Sequence, residues 1–212
     1  MNDPQNGAHT SSIRVDLKLI ADMIEPGSRV LDVGCGDGEL LAYLAKTKQT
    51  DGRGVELSMS GVSKSVRSGL SVIQGDADTD LKDYPTGAFD YVVLSQTLQA
   101  TYRPREVVEN LVRISQRAIV SFPNFAYWRV RLGLLFIGKM PVTDTLVNTW
   151  YDTPNIHHCT VKDFVETCRD SGISIEQAIP LTRNGDAMAL AATGRLANLL
   201  AEQALFVLRR PD

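Results

Sequence analysis

The chain has 212 residues, 43% of them hydrophobic, which is enough for one domain with a full core. A net charge of −3 leaves no electrostatic footprint for nucleic acid or for an anionic membrane surface. The longest apolar run, Leu134-Leu135-Phe136-Ile137, is far too short to cross a bilayer, and the polar start lacks the plan of a signal peptide.

Residues 1–11 read as a disordered lead to a single domain over 12–212. Ile13, Leu17, Ile20 and Ile24 recur at helical spacing; Ser11 or Ser12 is placed to cap that helix and Pro26-Gly27 to stop it. A strand is predicted over 29–33, then a glycine loop, then a helix over 39–47. Asp51-Gly52 reads as a turn before a strand over 54–57, followed by a helix over 60–68 and a strand over 71–74. Pro85-Thr86-Gly87 forms a loop and residues 89–94 a largely buried strand. Pro104 suits the first position of a helix reaching 115, and a strand over 118–122 ends at Pro123-Asn124. An insert of about 126–159 then breaks the alternation, with an aromatic and basic start at Tyr127, Trp128, Arg129 and Arg131. Thr160 caps a helix over 161–171, and strands follow over 173–179 and 204–208, with 182–200 poorly patterned between them. Strands alternating with helices predict an α/β fold: a Rossmann-like, doubly wound sheet of seven mostly parallel strands.

The stretch from Val30 to Gly38, VLDVGCGDG, carries the most information. A strand running into three alternating glycines and then a helix sits at the carboxyl edge of the sheet, where such folds bind ligands. Two cofactor classes compete for it. The dinucleotide fingerprint G-x-G-x-x-G is broken here by Glu39, which stands where its third glycine belongs. Glu56, at the end of the second strand, can accept ribose hydroxyls of either class. Asp32 and Asp37 discriminate: carboxylates beside the loop repel a pyrophosphate but attract the sulfonium and ammonium of S-adenosylmethionine. Asp76, after the third strand, is placed to accept from an adenine amine, and Ala77 follows it. The residues predicted to hold the cofactor are Asp32, Gly34, Cys35, Gly36, Gly38, Glu56, Leu57, Asp76, Ala77 and Ser95.

Beyond the cofactor the signals are weaker. Ser95-Gln96-Thr97-Leu98-Gln99 and Ser121-Phe122-Pro123-Asn124-Phe125 follow strands four and five, and neither matches the Asn/Asp-Pro-Pro-Tyr/Phe signature of amine methylation on nucleic acids and proteins. Gln96, Tyr127 and His157 are the candidate catalytic residues. Adjacent His157 and His158 point to opposite faces of an extended chain and so make a poor metal chelate; packing or capping is the plainer role, and no metal is expected. Cys35, Cys159 and Cys168 form no C-x-x-C pair and leave one thiol over in any disulfide scheme, which predicts a reducing, cytoplasmic setting.

Residues 29–95 resemble the class I S-adenosylmethionine-dependent methyltransferases, with Asp32 to Gly38 matching their glycine motif, Glu56 their ribose acid and Gly75-Asp76-Ala77 their adenine loop. Over nearly the whole chain, SFPNFAYWRVR from Ser121, PVTD from Pro141 and WYDTPNIHHCT from Trp150 resemble the MetW family of methionine biosynthesis. That resemblance implies S-adenosylmethionine or S-adenosylhomocysteine as the cofactor and homoserine O-acyltransferase (MetX) as the partner. Three functions stay open: a cofactor-sensing partner of that acyltransferase, an independent methyltransferase acting on a small molecule or protein, and, disfavoured by Glu39 and Asp32, an NAD-dependent oxidoreductase.

Overall fold

A computed structural model describes residues 13–191 and 193–210. The predicted disordered lead and the capping serines Ser11 and Ser12 lie outside the described residues. The strands are β1 Arg29–Val33, β2 Asp51–Glu56, β3 Ser71–Gln74, β4 Phe89–Ser95, β5 Ser115–Pro123, β6 Ser174–Leu181 and β7 Gln203–Arg209. They form one sheet in the order β3-β2-β1-β4-β5-β7-β6, parallel throughout except for β7, which runs antiparallel to both of its neighbours. The helices are α1 Val15–Met23, α2 Glu39–Lys48, α3 Met59–Arg67, α4 Pro104–Ile114, α5 Trp128–Leu132, α6 Val161–Asp170 and α7 Arg195–Leu200.

Successive strand residues point to opposite faces, so the sheet divides two cores. Leu31, Val92 and Val120 belong to one, with Val107 and Leu111 of α4 and Phe164 of α6. Val30, Val93 and Ile119 belong to the other, with Ile20 of α1 and Leu40 and Leu44 of α2. This is the doubly wound arrangement expected from the alternation. It brings the carboxyl ends of β1 to β5 to one edge, in register through pairs such as Val33 with Val55, Glu56 with Gln74, and Ser95 with Ser121.

Some boundaries differ from the expectation. Asp51-Gly52 is not a turn but the start of β2, paired with Arg29 and Val30. The glycines here serve packing: a Cβ at Gly52 would lie 3.0 Å from Leu41 Cδ2, and one at Gly54 would lie 2.7 Å from Cys35 Sγ. The poorly patterned 182–200 contains α7, held by burial of Ala197 and Asn198 rather than by any long periodic face. Residues 124–160 join β5 to α6. They carry α5 and a π-helical turn, Gly133–Ile137, in which no residue is buried. Thr160 caps α6 as expected, its Oγ1 accepting from the Asp163 N–H at 3.2 Å. Among the described residues, no helix is long and apolar enough to cross a membrane.

Candidate functional site

The glycine loop is built by its backbone. Gly34, Gly36 and Gly38 have φ of 72°, 54° and 79°, the left-handed region that side chains with a Cβ resist. The loop is anchored to β2 by the N–H groups of Gly34 and Cys35, both donating to the Val55 carbonyl at 2.7 and 3.3 Å. A Cβ on Gly34 would fall 2.6 Å from Thr97 Oγ1, and one on Gly38 would collide with Leu70. A Cβ on Gly36 would meet nothing within 4 Å. Two of the three glycines therefore allow the protein to close on itself, and the middle one faces open space.

Glu56 closes the loop from below. Its Oε2 accepts from the Gly36 N–H and its Oε1 from the Ser58 N–H, both at 2.9 Å. The carboxylate predicted to take ribose hydroxyls is thus already fixed by two amides. An ionised carboxylate has about four acceptor positions, so room for further donors remains. Leu57, next in the chain, is 65% exposed, an apolar side chain left uncovered beside this carboxylate.

Asp32 is the electrostatic centre. It is 4% exposed, and burial, followed by the charge of Glu56, pushes its pKa up to about 7. No hydrogen bond from the described residues relieves it. Arg14, before α1, works in the opposite direction, yet its guanidinium is spent on Asp16. A buried carboxylate with so little compensation favours a cation nearby. Asp37 contributes less than its position predicted: it is 64% exposed and paired with Lys64 at 3.1 Å. The Cys35 thiol is pushed up to about 12, by burial first and then by Asp32 and Glu56, so this cysteine fills space without acting as a nucleophile.

The remaining predicted residues divide. Asp76 turns its own loop, with Oδ1 accepting from the Asp78 N–H at 2.9 Å, while Ala77 packs against the core. Ser95 Oγ lies 3.2 Å from Ser121 Oγ at the ends of β4 and β5. Gln96 adopts φ of 53°, a strained conformation for a side chain of its size, and donates from Nε2 to Gln203 Oε1 at 2.8 Å. Tyr127 joins a separate small cluster with Val130 and Leu146, its hydroxyl's pKa raised by burial and then by Glu202. His157 Nε2 rests 3.3 Å from the Tyr102 carbonyl and His158 stacks on Phe125, while the cap of α6 is Thr160. The structure thus gathers Asp32, the three glycines, Cys35 and Glu56 around one loop; Tyr127 and His157 belong to other clusters.

Two features escaped the sequence. Gln203, at the start of β7, joins Gln99 and Ser121 of the segments after strands four and five in one buried polar group, and its separation along the chain hid that link. Gln99 Oε1 is buried there without a hydrogen-bond partner among the described residues. Asp78, unremarkable as a loop acid, accepts from the N–H groups of Tyr102 and Arg103 at 2.8 and 2.7 Å and so ties the loop after β3 to the start of α4.

Solved structures with the same architecture include several methyltransferases and the [4+2]-cyclase SpnF. Among them are an S-adenosylmethionine-dependent methyltransferase from Archaeoglobus fulgidus (TM-score 0.68, 16% identity, 93% of each chain) and one from Mesorhizobium loti (0.67, 18%, 92% of this chain and 98% of that one). A third is the magnesium protoporphyrin IX methyltransferase of Synechocystis, solved with bound S-adenosylhomocysteine (0.62, 19%, 93% and 80%). At these identities the likeness is one of fold. By sequence, the chain is 32% identical over 177 residues to the bifunctional methionine biosynthesis protein MetXA/MetW of Rhodopirellula baltica, covering 79% of this chain but only 28% of that protein. Phosphoethanolamine N-methyltransferase 3 of Arabidopsis thaliana matches over 87 residues at 34%, or 38% of this chain and 18% of that one. The chain therefore spans well under a third of the length of either relative. One family profile, described as "Methionine biosynthesis protein MetW", matches residues 14–208, and with that match extending from α1 into β7 the chain belongs to the MetW family.

Proposed function

We propose that the chain binds S-adenosylmethionine or S-adenosylhomocysteine at the carboxyl edge of β1, β2 and β3, and that it serves methionine biosynthesis as a cofactor-reading partner of homoserine O-acyltransferase. The observation that carries the cofactor reading is the poorly compensated carboxylate of Asp32 beneath a loop whose middle glycine opens onto free space. A pyrophosphate would meet Asp32 and Glu56 as like charges; a cationic ligand relieves both. Gly34, Gly36 and Gly38 would give the ligand backbone access, with Cys35 filling the space behind the loop. Glu56 would take the ribose hydroxyls, Leu57 and Ala77 would flank the base, Asp76 would accept from its amine, and Ser95 would border the amino-acid end. S-adenosylmethionine, when bound, supplies an activated methyl group on a sulfonium.

Support for the partner comes from the Rhodopirellula relative, whose printed name joins MetXA and MetW in one polypeptide. The apolar side chains of the π-helical turn add to it: Leu135, Phe136 and Ile137 are at least 70% exposed. Calorimetry tests the first half: S-adenosylmethionine and S-adenosylhomocysteine bind, NAD does not, and Glu56→Ala weakens binding at least tenfold, about 1.4 kcal/mol. Acyltransferase rates with and without this protein, across cofactor concentrations, test the second; a rate indifferent to its presence refutes the partnership. Transfer of a labelled methyl group to a small molecule or protein in the absence of the acyltransferase favours an independent methyltransferase instead.

A further inference from the structure

The 124–160 segment lines an open pocket of about 310 Å³, none of whose lining residues is among those predicted to hold the cofactor. Its floor is the stack of Phe125 on His158, ring centroids 4.3 Å apart and 12° from parallel. That floor is fixed to the sheet: the Phe125 N–H donates to the Cys159 carbonyl at 2.9 Å, directly after β5 and before α6. Met140 and Leu146 give the lining its apolar part, and the Leu146 N–H donates to Thr143 Oγ1 at 3.0 Å. The lining also carries Asn148, Trp150 and Asn155. Neither asparagine's side-chain amide bonds to a described residue; Asn148 and Trp150 are exposed and Asn155 is half-buried.

The chemistry of the lining is selective. It contains no Asp, Glu, Lys or Arg. Desolvation, followed by the neighbouring His157, lowers the pKa of His158. A charged ligand would gain no counter-charge from these side chains. Each asparagine offers one carbonyl acceptor and an NH₂ donor, the complement of another amide, while the rings of Phe125, His158 and Trp150 offer faces for an aromatic body. The size falls at the lower end of small-molecule sites.

We propose that this cavity is a second ligand site, selective for uncharged, amide-bearing aromatic small molecules, separate from the cofactor loop. The site does not depend on the cofactor reading. Neutral N-acetyl-L-phenylalaninamide is the probe, with N-acetyl-L-phenylalanine and L-phenylalaninamide as its anionic and cationic counterparts. Titration is followed through the indole N–H resonance of Trp150, assigned by its loss in Trp150→Phe. The neutral probe shifts that resonance saturably and binds at least tenfold more tightly than either charged counterpart. Replacing both amides, Asn148→Leu with Asn155→Leu, weakens it at least tenfold while the melting temperature holds. Equal affinity for the three probes, undiminished binding to the double variant, or an unmoved Trp150 resonance overturns the proposal.

Discussion

At the scale of single residues, stability and ligand affinity pull Asp32 in opposite directions. In the folded protein it holds its proton up to about pH 7, whereas in an unfolded chain it does so only to about 3.9. A group whose folded pKa is raised contributes stability below the unfolded value and loses it as pH rises through the folded one. The gap corresponds to on the order of 4 kcal/mol of stability lost between about pH 4 and pH 7. Asp32→Asn is therefore expected to resist urea better than the wild type at pH 8, with the advantage gone at pH 4, and to bind S-adenosylmethionine at least tenfold more weakly. Parallel stability curves across that range would count against the buried-charge reading. The loop glycines permit a second separation of roles. Gly36→Ala bears only the left-handed backbone penalty, about 1–2 kcal/mol, and is expected to fold yet lose cofactor affinity. Gly34→Ala adds a clash with Thr97 and is expected to cost more than that in a urea titration.

At the scale of elements, Asn124 does more than its place in a loop indicates. It is 2% exposed; its Nδ2 donates to the carbonyls of Asn198 and Ala201 at 3.0 and 2.8 Å, and its Oδ1 accepts from the N–H groups of Ala126 and Val161 at 3.1 and 3.4 Å. One side chain thereby fastens the end of α7, the start of α6 and the segment leaving β5. Asn124→Ala leaves several buried groups unpaired and is expected to destabilise by about 2–4 kcal/mol in urea, with the second ligand site loosened as well. Such a hub is invisible in sequence, because three of its four partners lie 37, 74 and 77 residues away and share no pattern with it. What was legible had local causes. The glycine loop announced itself because left-handed backbone demands glycine, and α4 because Pro104 fits a first helical turn. Asp51-Gly52 misled because turn chemistry and close packing call for the same residue, and only Leu41 on α2 shows which applied. The strand alternation was legible too; the placing of β7 between β5 and β6 was not, since long-range pairing leaves no local mark.

At the scale of the whole molecule, the cofactor edge and the exposed apolar turn lie on different parts of the chain, and so their roles can be cut apart. Leu135→Ser with Phe136→Ser is expected to abolish co-elution with homoserine O-acyltransferase while cofactor affinity stays within twofold of the wild type, checked by size-exclusion chromatography and calorimetry. Wild-type co-elution would exclude this turn as the contact. The sheet order has a further consequence, for the newly synthesised chain. Strands β1 to β5 can assemble side by side as they leave the ribosome, each joining a neighbour already present. β6 cannot, because its neighbour among the described strands is β7, which is made later. Until residue 209 has emerged, an eight-residue strand waits without a partner and the flank of β5 stays open. That interval is the chain's window of exposure to chaperones and to mispairing with other nascent chains, and slowing translation between β6 and β7 would lengthen it.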